Sequence, residues 1–233
     1  MLTLGVDLAS ADERTAMARV EWSGGVSTVR DLRLGVSDGE LLEAIRAVDK
    51  AGVDCPLGWP SAFVEYVAGP RKPVAADAAW RRTLAYRVTD QVVRAETGIN
   101  PLSVSADRIA YVAFRGANLL AHLGIDDRSG NDVVVEVYPA ASLRRWGLTH
   151  RGYKVSGHDA LLDELLAAAP WLDLGPYGEL CRTSHDAFDA VIAALAARAA
   201  ALGKYVAPAP AQQEAARVEG WIALPLGDLN DLR

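Results

Sequence analysis

The apolar and polar positions along the chain change period several times, and each change marks an element. "LTLGVDL" opens as a strand, and "TAMARVEWS" mixes apolar and polar positions as a second. "GG" then turns the chain into "VSTVRDLRL", where Val26, Val29 and Leu32 suit a half-exposed third strand. The three predict an antiparallel meander. "DGELLEAIRAVDKAG" reads as a helix with Leu41, Leu42, Ile45 and Val48 on one side and Gly52 just past its end. "VDCPLGWP" is a very short fourth strand that breaks into a Pro/Gly loop.

From residue 61 to about 123 the pattern is mostly helical and amphipathic. "DVVVEVYP" follows as a β-branched run of the kind buried in a parallel sheet. "DALLDELLAAA" is another helix. "SHDAFDAVIAALAARAAALG" is apolar on nearly every face, which predicts a buried helix ended by Gly203. The tail "EGWIALP" is expected to add an edge strand or to pack on the core. Strand–helix–strand crossovers are right-handed, so the fourth strand should lie parallel to the first. This order predicts an α/β fold with a ribonuclease H-like mixed sheet. It is read as a single domain over 1–233, with a mostly helical insertion at about 61–130 and a tail at about 206–233.

Composition narrows the class. About half of the 233 residues are apolar, enough for one large core or two small ones. No apolar run approaches the eighteen or so residues of a membrane span, and no basic-then-apolar leader opens the chain. A cytoplasmic protein is expected. Cys55 and Cys181 are the only cysteines, and with four scattered His they match no zinc spacing. The net charge of −6 counts against a protein that coats long duplex DNA. Two local basic stretches remain. One holds Arg71, Lys72, Arg81, Arg82, Arg87 and Arg94 against Asp77 and Asp90; the other runs from Arg144 to Lys154 without an acid. Either is a phosphate-binding rim or a solvated helix face.

The carboxylates carry the candidate chemistry. Asp7 ends the first strand and Asp54 the fourth. As parallel neighbours roughly 5 Å apart, they would emerge at one edge of the sheet. Glu136 lies inside "VVVEVYP", opposite Val135 and Val137. Asp186 and Asp189, three apart, share a face of the buried last helix. Such acids repel unless neutralised, and Mg²⁺ takes oxygen ligands of this kind. Each also has a structural reading. Asp7 and Asp54 could cap loops, Glu136 could pair with Arg87 or Lys154, and Asp186 suits a helix N-terminus. Cys55 has no nearby His to activate it. Ser10, His185 and an Asp could form a triad only without a G-x-S-x-G elbow. No Walker loop or G-x-G-x-x-G is present.

"GVDLAS", "VDCPLGWP", "YRVTDQVVR", "PLSVSADRIA", "VVEVYPAASLRRWGL", "GYK" and "HDAFDAVIAALAAR" together resemble the domain-of-unknown-function 429 family, described as predicted nucleases of ribonuclease H-like fold. The resemblance covers roughly residues 2–205. It implies a two-metal phosphodiester mechanism, with Asp7, Asp54 and the Asp186/Asp189 pair as ligands of Mg²⁺ or Mn²⁺ and Asp7 as the bridging one. Glu136 joins them as a motif residue, as do Arg87, Asp90 and Lys154. Arg81, Arg82, Arg87, Arg94 and Lys154 are the expected substrate contacts. The expected partner is nucleic acid in a compact form, a branched or single-stranded end. The rival readings are a nucleotide or phosphate-metabolite enzyme on the same sheet, and a non-catalytic binding protein with a degenerate site.

Overall fold

The structure is a computed structural model that describes residues 1–69, 77–154 and 157–233. Arg71 and Lys72 of the first basic stretch lie outside the described residues. The elements run β1 (Leu2–Asp7), β2 (Ala16–Ser23), β3 (Val26–Leu34), α1 (Asp38–Arg46), β4 (Lys50–Asp54), α2 (Ser61–Ala68), α3 (Ala78–Ala85), α4 (Val88–Thr97), α5 (Ala110–Leu123), β5 (Val134–Glu136), α6 (Pro139–Arg145), α7 (His158–Ala168), β6 (Leu172–Asp173), α8 (Gly178–Thr183), α9 (His185–Ala201) and α10 (Gln213–Glu219).

Among the described residues the sheet has six strands in the order β5-β4-β1-β2-β3-β6. β1, β2 and β3 form the antiparallel meander, and β4 and β5 lie parallel beside β1. The chain is therefore α/β with a mixed sheet, antiparallel first and parallel after. Helices α2 to α5 fill the stretch read as an insertion.

Three layers enclose two cores. Leu4 and Val6 of β1 and Ala51 and Val53 of β4 face one way, onto Leu41 and Ile45 of α1 and Leu119 and Leu120 of α5. The intervening residues face α9. Period two explains the choice of Gly5 and Gly52, which are in register on that second face. A Cβ at Gly5 would stand 2.0 Å from the Ala190 carbonyl oxygen, and one at Gly52 would stand 2.6 Å from that of Ala193. The glycines let an alanine-rich helix lie directly on the sheet. On its outer side α9 meets Leu161, Leu162 and Leu165 of α7, so it is buried all round.

Three expectations need adjustment. Gly52 does not end a helix: α1 stops at Arg46, and Gly52 lies within β4 because the close approach of α9 requires it there. β6 was not legible, since two residues paired to Ser27 and Thr28 carry no periodic pattern. The tail both bridges and packs. Ile222 pairs in parallel with Glu136, and Trp221, Ala223 and Leu224 are buried.

Candidate active site

Asp7 and Asp54 are Cα partners at the ends of adjacent parallel strands. Two residues beyond the glycine pair, they share the face that α9 covers. Gly5 and Gly52 bring the first turns of α9 close, and Asp189 arrives from there, fully buried. Its Oδ1 accepts a hydrogen bond from the Tyr153 hydroxyl at 2.8 Å. Its Oδ2 forms an ion pair with Lys154 Nζ at 2.5 Å.

The electrostatics follow from the crowding. Burial, then the charges of Asp54 and Asp189, push the Asp7 carboxyl up to about 9; Lys154 opposes them. Burial likewise raises Asp54 to about 7, with Asp189 and Glu136 adding and Lys154 subtracting. Burial pushes Asp189 up as well, against the pull of Lys154 and Tyr153. Burial alone would lower Lys154, but Asp189, Asp7 and Asp54 together hold it firmly charged. The cluster is thus three acids around one ammonium, with proton affinity to spare.

Asp186 sits apart. Its carboxylate accepts from Arg14 Nε at 3.1 Å and lies 2.7 Å from His185 Nδ1, at the outer edge of the group. Its charge still reaches Asp7. Of the pair on α9, Asp189 is the one that lines the cavity.

Glu136 is one residue out of phase with the cluster. It is the register partner of Val53, so its side chain points to the face away from α9. There Arg87 grips it with Nη1 and Nη2, both at 2.7 Å. The same guanidinium donates to Asp90 at 2.9 and 3.2 Å. The Leu57 N–H completes the Glu136 shell at 3.0 Å. Arg87 is buried and committed to these acids. Arg81, Arg82 and Arg94 are exposed on α3 and α4 and do not line the cavity. Of the five expected phosphate contacts, Lys154 alone reaches the carboxylate cluster.

The cluster opens into a cavity of about 530 Å³ at the carboxyl ends of β1 and β4, the place where open α/β sheets bind ligands. Cys55 borders it too, but burial pushes its thiol well up and its sulfur packs against Gly116, the marks of an inert core thiol. His185 is engaged with Asp186, and no triad forms with the exposed Ser10. Tyr153 and His150 also line the cavity. Tyr153 stands in the "GYK" motif but was given no role from the sequence, and nothing pointed to His150.

Among the described residues no group of three His, Cys, Asp or Glu is set out to hold a metal ion. The donor chemistry nevertheless fits a hard cation: carboxylate oxygens converging at one strand edge, with raised pKa values on Asp7 and Asp54. Nor is any helix among them long and apolar enough to cross a membrane.

The comparison that decides the family is a match over residues 5–213 to the one described as "Protein of unknown function (DUF429)". The chain belongs to this family. No curated protein and no solved structure was found to match it. The DUF429 match spans every element that builds the site, from β1 to α9.

Proposed function

We propose that this DUF429 protein is a metal-dependent hydrolase of phosphodiesters in nucleic acid, built on a ribonuclease H-like sheet. The observation that carries the reading is the in-register pair Asp7 and Asp54 with Asp189 facing them from α9, all bordering one cavity beside the Lys154 ammonium. The strand order, with the meander followed by β4 and β5 on the far side of β1, supports the fold assignment.

Asp7 and Asp54 would hold Mg²⁺ or Mn²⁺, with Asp7 central because it feels all three of the other Asp charges. Two ions, bound with substrate, would supply Lewis acidity and a water of lowered pKa. Asp189, oriented by Tyr153, holds the Lys154 ammonium beside the cluster, where it can meet a phosphate oxygen. Hydrolysis adds the water oxygen to phosphorus and breaks the bond to the leaving oxygen. The water's proton passes to a carboxylate of the cluster.

A nuclease panel tests this: single-stranded, duplex, branched and RNA–DNA hybrid substrates with Mg²⁺ and Mn²⁺, beside Asp7→Asn. The expected result is metal-dependent cleavage that Asp7→Asn abolishes. Cleavage unchanged in Asp7→Asn, or none on any substrate, would remove the reading. The cavity's volume of about 530 Å³, the size of a small-ligand pocket, favours one second reading, a nucleotide or phosphate-metabolite hydrolase with the same ligands, so free nucleotides belong in the panel.

A further inference from the structure

The cavity lining is divided by chemistry, and the sheet explains how. On the α9 side, the loop before α7 contributes His150, Tyr153 and Lys154, the last two bound to Asp189. The helical insertion contributes apolar groups: Pro101, Leu102, Ile109 and Val112. Val112 packs on the core of the opposite face of the sheet, so the two linings belong to opposite sides of the cavity mouth. Among the described residues Arg87 is the insertion's one cation there, and it is spent on Glu136 and Asp90. Leu102 stands 57% exposed at this rim, an apolar side chain with no core to join.

A volume of about 530 Å³ lies within the usual 300–1,000 Å³ of small-ligand pockets. A double helix, with grooves about 6 and 12 Å across, does not enter such a space. A single nucleotide does, and it shares the cavity's polarity, with an apolar base at one end and an anionic phosphate at the other. We infer that the cavity seats one unpaired nucleotide, its base against Leu102, Ile109 and Val112 and its phosphate toward Lys154. This rests on the nuclease reading and narrows it: the substrate is a single-stranded end or an extruded nucleotide, and the insertion is the element that selects it. Ring stacking is available from Tyr138, which also lines the cavity.

Titration calorimetry with thymidine 5′-monophosphate and with inorganic phosphate, in millimolar Mg²⁺, separates the two sides of the mouth. The parent should bind the nucleotide about tenfold or more tightly than phosphate, since one well-buried apolar contact is worth that much. The double variant Leu102→Ala/Ile109→Ala should lose that advantage and keep its phosphate affinity. Leu102→Ala alone, at an exposed position where folding is not at risk, should move the same way. Lys154→Gln should weaken both ligands. A single strand should compete for the site, and a blunt duplex of the same sequence should not. Equal affinity for nucleotide and phosphate, a nucleotide affinity untouched by Leu102→Ala, or a duplex that competes equally would overturn the inference. Nucleotide binding without cleavage of any oligonucleotide would remove the nuclease reading and leave the pocket standing. Asp7-dependent cleavage with equal competition by duplex would do the reverse.

Discussion

Two acid-rich clusters lie close together at the carboxyl end of β4, and they are built on opposite rules. Around Arg87, the carboxylates of Glu136 and Asp90 share one guanidinium in charge-assisted hydrogen bonds. Glu219 joins from the tail, its carboxylate accepting from the Ser61 and Val88 N–H groups at the starts of α2 and α4. Nearly every oxygen has an aligned donor. Around Asp7, three acids face one lysine, and burial pushes the pKa of all three up. Buried acids that hold a fold together are satisfied within the fold. Those that outnumber their counter-charges repel one another unless a proton or a bound cation intervenes.

The widest gap between the clusters should appear on breaking Arg87. Arg87→Met leaves Glu136 and Asp90 buried without a counter-charge and should cost about 3–5 kcal/mol of stability in chemical denaturation. A loss under about 1 kcal/mol would mean that this network is not the scaffold. Gly5→Ala comes next. Its Cβ meets the α9 backbone, which cannot retract as a side chain would, so overpacking should cost about 1–3 kcal/mol. Because α9 must lift, Asp189 should also move away from Asp7. The Asp7 carboxyl, followed by carbon-13 NMR, should then titrate below its parent value of about 9.

The fold was largely legible because its signals are local and repetitive: alternation in β1 to β3, the β-branched run of β5, and the all-round apolar surface of α9. Asp7 and Asp54 could be found because strand ends and a right-handed crossover fix where they emerge. What stayed hidden depends on parity and on distant contacts. For Glu136 the sequence left a ligand role and a buried pairing with Arg87 both open, and its register with Val53 decides for Arg87. Arg81, Arg82 and Arg94 follow a basic pattern that describes an exposed helical surface as well as a phosphate rim. Glu219 gave no sign of its role, since its partners Ser61 and Val88 are more than a hundred residues away.

A smaller effect concerns pH. Asp7 and Asp54 keep protons in the folded protein that the unfolded chain releases near the ordinary value of 3.8. The folded state therefore binds more protons, and without metal, stability should fall as pH rises from about 4 through 7 and toward 9. Melts in EDTA across that window should slope downward more steeply for the parent than for Asp7→Asn, and Mg²⁺ should flatten the parent's slope. Identical slopes in the two proteins would place the raised pKa values elsewhere.

The most direct measurement is the smallest in size: thermal melts of the parent and Asp7→Asn, each with EDTA and with millimolar Mg²⁺. Asparagine keeps the shape of the strand end and cannot ionise, so it removes the cost of holding the Asp7 carboxyl protonated above the ordinary carboxylate range. In EDTA the variant should melt with the parent or slightly above it, by about 2–4 °C for each kcal/mol of that cost removed. Mg²⁺ should raise the parent's melting temperature and leave the variant's where it was. A variant that melts markedly lower in EDTA, beside a parent indifferent to Mg²⁺, would show that Asp7 serves the fold and that the cluster is not a cation site.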